Sequence, residues 1–337
     1  MRVLFIIFAT ALILIGPGCE EVFFEKDAAN DPENSFDFLW TTLSERYSLF
    51  EFKQINWDSV YAVYRPRVNA GTSDAQLFEV MAEMLNTLKD GHVNLRSQFD
   101  ISRYFPYLEV APNFSFDLVE RNYLGADYRF TGFLLNQVFD SVGYIYYGSF
   151  QSSVKDWELD TVINRFNHER VKGVIIDIRD NEGGNPENGL KLAARLIDQR
   201  THIYTSQKKF GPGPADFAPA ENIFLDPNTD SPHFPGQVIV LTNRKVYSAG
   251  SYFSASIKAI PDVMIVGDTT GGGSGVPAGF DLPNGWYCNY SSTIGTLTDG
   301  FNFEAGVPPD VYLQLDTVDI LNGVDTYIEY AKTEILN

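Results

Sequence analysis

The sequence predicts an α/β fold preceded by a small helical region, and three observations carry that expectation. Short apolar runs, Gly143-Tyr144-Ile145-Tyr146, Val174-Ile175-Ile176 and Val238-Ile239-Val240-Leu241, are the length and type of buried strands. Polar or glycine-bearing turns and amphipathic segments follow them, the strand-turn-helix order of a sheet with parallel character. Ahead of these runs, from about residue 35 to 96, apolar positions recur at helical spacing instead. With 337 residues, 44% hydrophobic and 20% charged, the chain can bury the core of two domains and is not of the disordered type. Its net charge of −19 argues against nucleic acid and anionic membrane surfaces as partners, because phosphate binding needs clustered Lys and Arg.

The chain opens with Arg2, the apolar stretch Val3 to Ile15, and Gly16-Pro17-Gly18-Cys19. This charge, short apolar core and small-residue pattern is that of an export signal, too short for a permanent span of about 20 residues. It resembles a bacterial lipoprotein signal over residues 1–18, with Cys19 the lipid attachment site and Gly16 where a Leu-like residue is usual. The implied location is the cell envelope of a bacterium, lipid-anchored, with plain secretion as the alternative. Residues 19–34 are too polar to pack and read as a flexible tether. With Cys19 lipidated, Cys288 has no partner for a disulfide and reads as a small buried hydrophobe.

Helices are expected around Phe36, Leu39, Trp40 and Leu43, around Trp57, Val60, Tyr61 and Tyr64, and from Ser73 along Leu77, Val80, Met81, Met84, Leu85 and Leu88. Ser73 and Gln76 have capping-box spacing at the third. Asp90-Gly91 then marks a turn, and His92 sits where helix gives way to strand. His168, in a polar helix, His202, after a helix end, and His233, in a loop, are weaker functional candidates. Residues 97–142 read as connecting strands and loops, and residues 143–332 as the main α/β domain. Within it, Asp180-Asn181-Glu182-Gly183-Gly184-Asn185-Pro186 is a turn before a helix over Leu190 to Ile197, so free backbone N–H groups gather at a strand's carboxyl end.

The strand Val238 to Leu241 delivers Ser248 to the start of a second amphipathic segment, Tyr252 to Lys258. A serine there is either a helix cap or a nucleophile beside unpaired N–H groups and the positive end of the helix dipole. Both this turn and the Gly183-Gly184 turn lie at strand carboxyl ends, where α/β sheets place their ligand chemistry. The loop Gly267-Asp268-Thr269-Thr270-Gly271-Gly272-Gly273-Ser274-Gly275 has no Gly-Lys-Ser/Thr and is not a phosphate loop; it reads as a mobile loop or a substrate-docking edge formed by Gly271, Gly272 and Gly273. No HExxH occurs, and Asp226, Asn228 and Asp230 match only a fragment of a calcium loop, so neither metal nor cofactor is expected.

Taken in order, Leu88-Lys89-Asp90-Gly91-His92, Gly143-Tyr144-Ile145 with Ser149-Phe150, Asp177 to Gly184, Ser248-Ala249-Gly250, Gly267 to Gly271 and Gly306-Val307-Pro308-Pro309-Asp310 resemble the C-terminal processing (tail-specific) protease family, in its tricorn-core-like branch. The resemblance implies a spiral core of the Clp-protease and crotonase kind. It implies Ser248 as nucleophile, His92 as base, Glu304 as the acidic member, and Ala249 with Gly183 and Gly184 as the oxyanion hole. Such a set supplies the base, orienting group and donors that a weak hydroxyl nucleophile needs.

The departures narrow the mechanism. Gly273 stands where many processing proteases carry a lysine base, and Gly91 where the tricorn pattern has a serine, so a Ser-His-Glu triad is expected. Ser251 replaces a frequently acidic position. Residues 95–143 are too few for a PDZ domain, which leaves no basis for recognising a substrate by strand addition in a PDZ groove. The implied activity is a lipid-anchored serine endopeptidase acting on peptides or unfolded segments. The competing reading is a non-catalytic binder of peptides or hydrophobic ligands on the same fold. A crotonase-like acyl-group enzyme lacks support because no coenzyme-binding signature is present.

Overall fold

The computed structural model describes residues 30–104 and 109–337. Residues 1–18, most of the expected tether and Cys19 lie outside the described residues. The far end of the expected tether is helical instead: a helix runs over Pro32–Arg46, with Pro32 at its first position and Asp31 capping it through the Asn34 N–H at 2.9 Å.

Seven strands form the central sheet: β1 (Arg129–Thr131), β2 (Leu134–Phe139), β3 (Val142–Tyr146), β4 (Gly173–Asp177), β5 (Gln237–Thr242), β6 (Val263–Gly267) and β7 (Val311–Tyr312). Their spatial order follows chain order, and every pairing from β3 to β7 is parallel. β1 and β2, from the stretch read as connecting strands, extend the same sheet by antiparallel pairing. Side chains alternate between two apolar layers. Ile145, Val174, Ile176, Val238, Val240 and Ile265 face helices Asp156–Glu169, Pro186–Ala193 and Ala249–Lys258, while Tyr144, Ile175, Ile239, Leu241 and Val266 face the C-terminal helix Thr326–Leu336. Burial on both faces explains why the strands read as continuous apolar runs.

The register Tyr146–Asp177–Leu241–Val266 aligns the carboxyl ends of β3 to β6, from which the 147–152, 178–185, 243–248 and 268–275 segments emerge. Fully buried Arg179 locks this edge. It pairs with Asp177 and Asp325, the latter at 3.0 Å, and stacks over the Phe114 and Tyr327 rings, so the C-terminal helix is tied to the end of β4.

The N-terminal helices do not close a core by themselves. Helix Asp74–Asn86, which opens with the Gln76 carboxamide accepting the Ser73 N–H, packs with Pro32–Arg46 and Trp57–Tyr64 against a three-stranded sheet. Its central strand, Tyr287–Ser291, pairs with Asn94–Arg96 on one side and Pro277–Asp281 on the other. A hairpin from the second half of the chain therefore completes the N-terminal core, across the boundary expected from sequence. Cys288, opposite Leu95, lies buried in that core, and burial pushes its thiol well above the ordinary range.

Two local expectations change. The helix expected over Leu190 to Ile197 runs instead over Pro186–Ala193, after an Asn185 cap. A strand, Glu221–Leu225, interrupts the long loop and pairs with the strand Thr201–Lys208, which carries His202. Among the described residues no helix is long and apolar enough to cross a membrane.

Candidate active site

Ser248 holds the N-cap position of helix Ala249–Lys258 but makes no capping bond. Its backbone, at φ 52° and ψ −120°, is strained for a non-glycine residue. The strain is held from three sides. Tyr247 N–H donates to the Asn181 carbonyl at 3.1 Å, Ser248 N–H to the Gly272 carbonyl at 3.0 Å, and Gly250 N–H to the Tyr247 carbonyl at 2.9 Å. Ser248 Oγ points instead at His92 Nε2, 2.9 Å away and 156 residues earlier in the chain. The cap and nucleophile readings thus separate: the serine stands at the cap, and its hydroxyl belongs to the histidine.

His92 arrives from the N-terminal unit, on the turn after helix Asp74–Asn86. Its backbone N–H donates to Asp90 Oδ1 at 2.8 Å. Asp90 is itself buried, and its Oδ2 accepts from Tyr47 Oη at 3.0 Å and Ser291 Oγ at 2.8 Å. Burial lowers the His92 pKa from the ordinary histidine value and Lys53 adds to this, while the Asp90 carboxylate and the Gly275 backbone oppose it. The shift favours the neutral ring, the form in which Nε2 can accept a proton. Its Nδ1 is enclosed and makes no hydrogen bond of normal geometry.

Glu304 is buried close by, yet it does not reach the imidazole with a hydrogen bond among the described residues. Oε1 pairs with Lys53 Nζ at 3.0 Å, and Oε2 accepts from Ser274 N–H at 2.8 Å and from Ser274 Oγ at 3.3 Å. Burial and the nearby Asp90 charge push its pKa up to about 6, against the pull of Lys53 and Ser274. Asp90 thus holds the His92 backbone, while Glu304 is tied to Lys53 and Ser274.

The two turns at the strand ends meet at Ser248. Asn181 braces the first, donating to the Tyr147 carbonyl at 2.7 Å and accepting the Gly183 N–H at 2.9 Å. That bond corrects the expectation for Gly183, whose N–H is occupied; Gly184 and Ala249 keep N–H groups without an acceptor among the described residues. What Gly183 supplies is room, since a Cβ on it would lie 2.8 Å from Ala249 N and 3.1 Å from Ser248 Cβ, at φ 97°.

The Gly271-Gly272-Gly273 loop is packed rather than open, contrary to the expectation of a mobile loop. Gly271 N–H donates to the Val246 carbonyl, Gly272 carries the acceptor for Ser248, and Gly272, Gly273 and Ser274 are buried. Gly273, at φ 80°, lies against the Tyr247 ring, which a Cβ would meet at 2.6 Å. The site has neither the space nor the backbone angle for a side chain, so the lysine that the resemblance would put at this position does not fit here. Ser251 braces the loop's start through Thr270 Oγ1 at 2.9 Å, and Thr270 Oγ1 accepts the Val307 N–H. An acidic residue at 251 would stand buried among these uncharged groups.

Sequence reasoning missed Asp90, Lys53, Asn181 and Tyr47. Asp90, two residues before the histidine, was legible as a turn residue only; Lys53 and Tyr47 come from segments with no motif. Among the described residues no group of His, Cys, Asp and Glu could hold a metal ion.

Residues 141–313 match the model of peptidase family S41, and residues 28–86 that of the tricorn protease C1 domain. The carboxyl-terminal-processing protease of a Picosynechococcus species is 26% identical over 208 residues, which are 58% of this chain and 47% of that protein. The chain spans about half the length, or less, of the curated relatives it matches. The crystal structure of a candidate peptidase from Parabacteroides merdae is 37% identical with a TM-score of 0.85, covering 92% of this chain and 98% of that one. Mature CPAF shares the fold, with a TM-score of 0.66 at 12% identity, over 90% of this chain and 96% of that one. By the extent of the family match and by this 37% identity over nearly the whole of a solved relative, the chain belongs to peptidase family S41.

Proposed function

We propose that the protein is a serine endopeptidase that cleaves peptides or unfolded segments through an acyl-enzyme on Ser248. The observation that carries the reading is the 2.9 Å contact between Ser248 Oγ and His92 Nε2, made by a serine without a capping bond on a strained backbone. In this reading His92 Nε2 takes the hydroxyl proton as Oγ attacks the scissile carbonyl, and the Ala249 and Gly184 N–H groups receive the oxyanion. The imidazolium then protonates the leaving amine, and the same nitrogen takes a proton from the water that attacks the acyl carbonyl and returns it to Ser248 Oγ as the acid leaves. Asp90 positions His92 through its backbone and offsets the imidazolium charge, with Glu304 and Lys53 as an outer pair. Gly271, Gly272 and Gly273 hold the rim of the substrate cleft. The segment ending in Cys19 is read as the lipid attachment that keeps the enzyme at the bacterial envelope, with the peptide as its partner.

Reaction with a fluorophosphonate probe tests the reading. Wild-type protein is expected to be labelled stoichiometrically and Ser248→Ala not at all. Folded wild-type protein that stays unlabelled, while binding an apolar ligand, would favour the non-catalytic alternative.

A further inference from the structure

Tyr247, the residue before Ser248, is buried, and its backbone is held at both ends. Its N–H donates to the Asn181 carbonyl at 3.1 Å and its carbonyl accepts the Gly250 N–H at 2.9 Å, so the strained serine turn also sets where the phenol ring goes. The ring runs along the glycine loop. A Cβ on Gly271 would lie 3.3 Å from Tyr247 Cδ2, and one on Gly273 2.6 Å from Tyr247 Cζ. The phenol therefore fills the space that a side chain at 273 would need. The same ring lies against the His92 imidazole, with centroids 5.1 Å apart and planes tilted by 50°.

His92 needs such a contact. Its Nδ1 makes no hydrogen bond of normal geometry among the described residues, with the Gly275 backbone beside it, so no carboxylate orients the imidazole from that side. The orientation that puts Nε2 at 2.9 Å from Ser248 Oγ is left to packing. The charges acting on the ring are Asp90, on its own turn, and Lys53, from helix Phe50–Lys53. Behind them, Tyr47 is bonded to Asp90 and Glu304 is paired with Lys53. None of these groups sits on the turn that carries Tyr247. Burial outweighs them all in favouring the neutral imidazole, and an aromatic ring removes water without adding a charge of its own.

We propose that Tyr247 is a positioning residue for His92: its ring takes the volume left by Gly271 and Gly273, covers the imidazole, and holds Nε2 on Ser248 Oγ. The role of this cover in hydrolysis rests on the peptidase reading, whereas the cover itself does not.

The test is a histidine NMR titration of the full chain, with the signal among the four histidines assigned through His92→Gln. In Tyr247→Ala the imidazole gains water, the imidazolium is penalised less, and the His92 pKa should rise by about half to one pH unit. The acid limb of kcat/KM should move up with it, and kcat/KM should fall about tenfold. Tyr247→Phe keeps the ring and should titrate with wild type. If Tyr247→Ala does not fold, Tyr247→Leu, which leaves part of the volume filled, should move the titration in the same direction by less. Gly273→Ala should lower the Tm of wild type by about twice as much as it lowers that of Tyr247→Ala or Tyr247→Leu. A His92 titration unmoved by loss of the ring, a Tyr247→Phe protein that behaves like Tyr247→Ala, or equal Tm losses would each overturn the proposal. A protein that titrates as expected but is neither labelled by fluorophosphonate nor hydrolytic removes the peptidase reading and keeps the cover. An active, labelled enzyme with an unmoved titration does the reverse.

Discussion

Replacing Asp90 by Asn separates charge from shape at the centre of the site. The carboxylate accepts the His92 N–H through Oδ1 and two hydroxyls, from Tyr47 and Ser291, through Oδ2. An amide keeps the Oδ1 acceptor, and both hydroxyls can turn to accept from its NH2, so the change in stability should stay within about 1–2 kcal/mol. The electrostatic effect is larger. For charges on the order of 6 Å apart at an effective dielectric of about 20, a carboxylate favours an imidazolium by about 3 kcal/mol, equivalent to roughly 100-fold in rate if fully expressed. Lys53, Glu304, Tyr47 and Tyr247 also act on or pack against this region, and Lys53 opposes the imidazolium, so about 10- to 100-fold is the expected loss in kcat/KM. Because Asp90 raises the His92 pKa, its removal must lower that pKa further. The pH profile of peptide hydrolysis should show a lower plateau together with an acid limb moved to lower pH by about one unit. A merely structural role would lower the plateau and leave the limb in place. A plateau within twofold of wild type, or an unmoved limb, would refute the reasoning.

Two further tests follow from the same geometry. Glu304 is raised from 4.5 to about 6, so the folded state binds its proton more tightly than the unfolded state does, and the associated stability is present at low pH and lost as pH rises through about 6. Urea titrations should show that decline in wild type, on the order of 2 kcal/mol, and not in Glu304→Gln. The acid limb of kcat/KM should also lose one protonation in that variant. Gly273→Lys, which installs the lysine of related proteases, should not rescue His92→Ala: a Cβ at φ 80° meets the Tyr247 ring at 2.6 Å, and strain plus overpacking should cost about 2–5 kcal/mol in thermal or urea unfolding.

The parts of the site legible in the sequence are those whose determinants are local. A buried apolar run ending in a polar turn places Ser248, and a glycine pair after Asp177-Ile178-Arg179 places open backbone at the neighbouring strand end. The Asp90-Gly91 turn marks His92 as a residue at a break in structure. The bonding of Gly183, by contrast, is decided by the Asn181 side chain, which an apolar pattern does not register. The same holds for the packed state of the Gly271-Gly272-Gly273 loop, whose composition suggests openness while its carbonyls and N–H groups are bound to segments far along the chain.

By itself, the sequence determined the parallel order of strands and turns, the serine at a helix start and the absence of a lysine in the 267–275 loop. Each of these is written in a few consecutive residues through periodicity, turn chemistry or residue identity. The family resemblance already named His92 as the partner of Ser248; only the tertiary structure decided their 2.9 Å contact, that the 277–291 hairpin completes the N-terminal core and carries Ser291 to Asp90, and that Glu304 pairs with Lys53. These contacts join segments that share no local signal, and they form because burying the two apolar layers and the N-terminal core brings those segments together. A buried polar atom then takes the partner that packing leaves within reach.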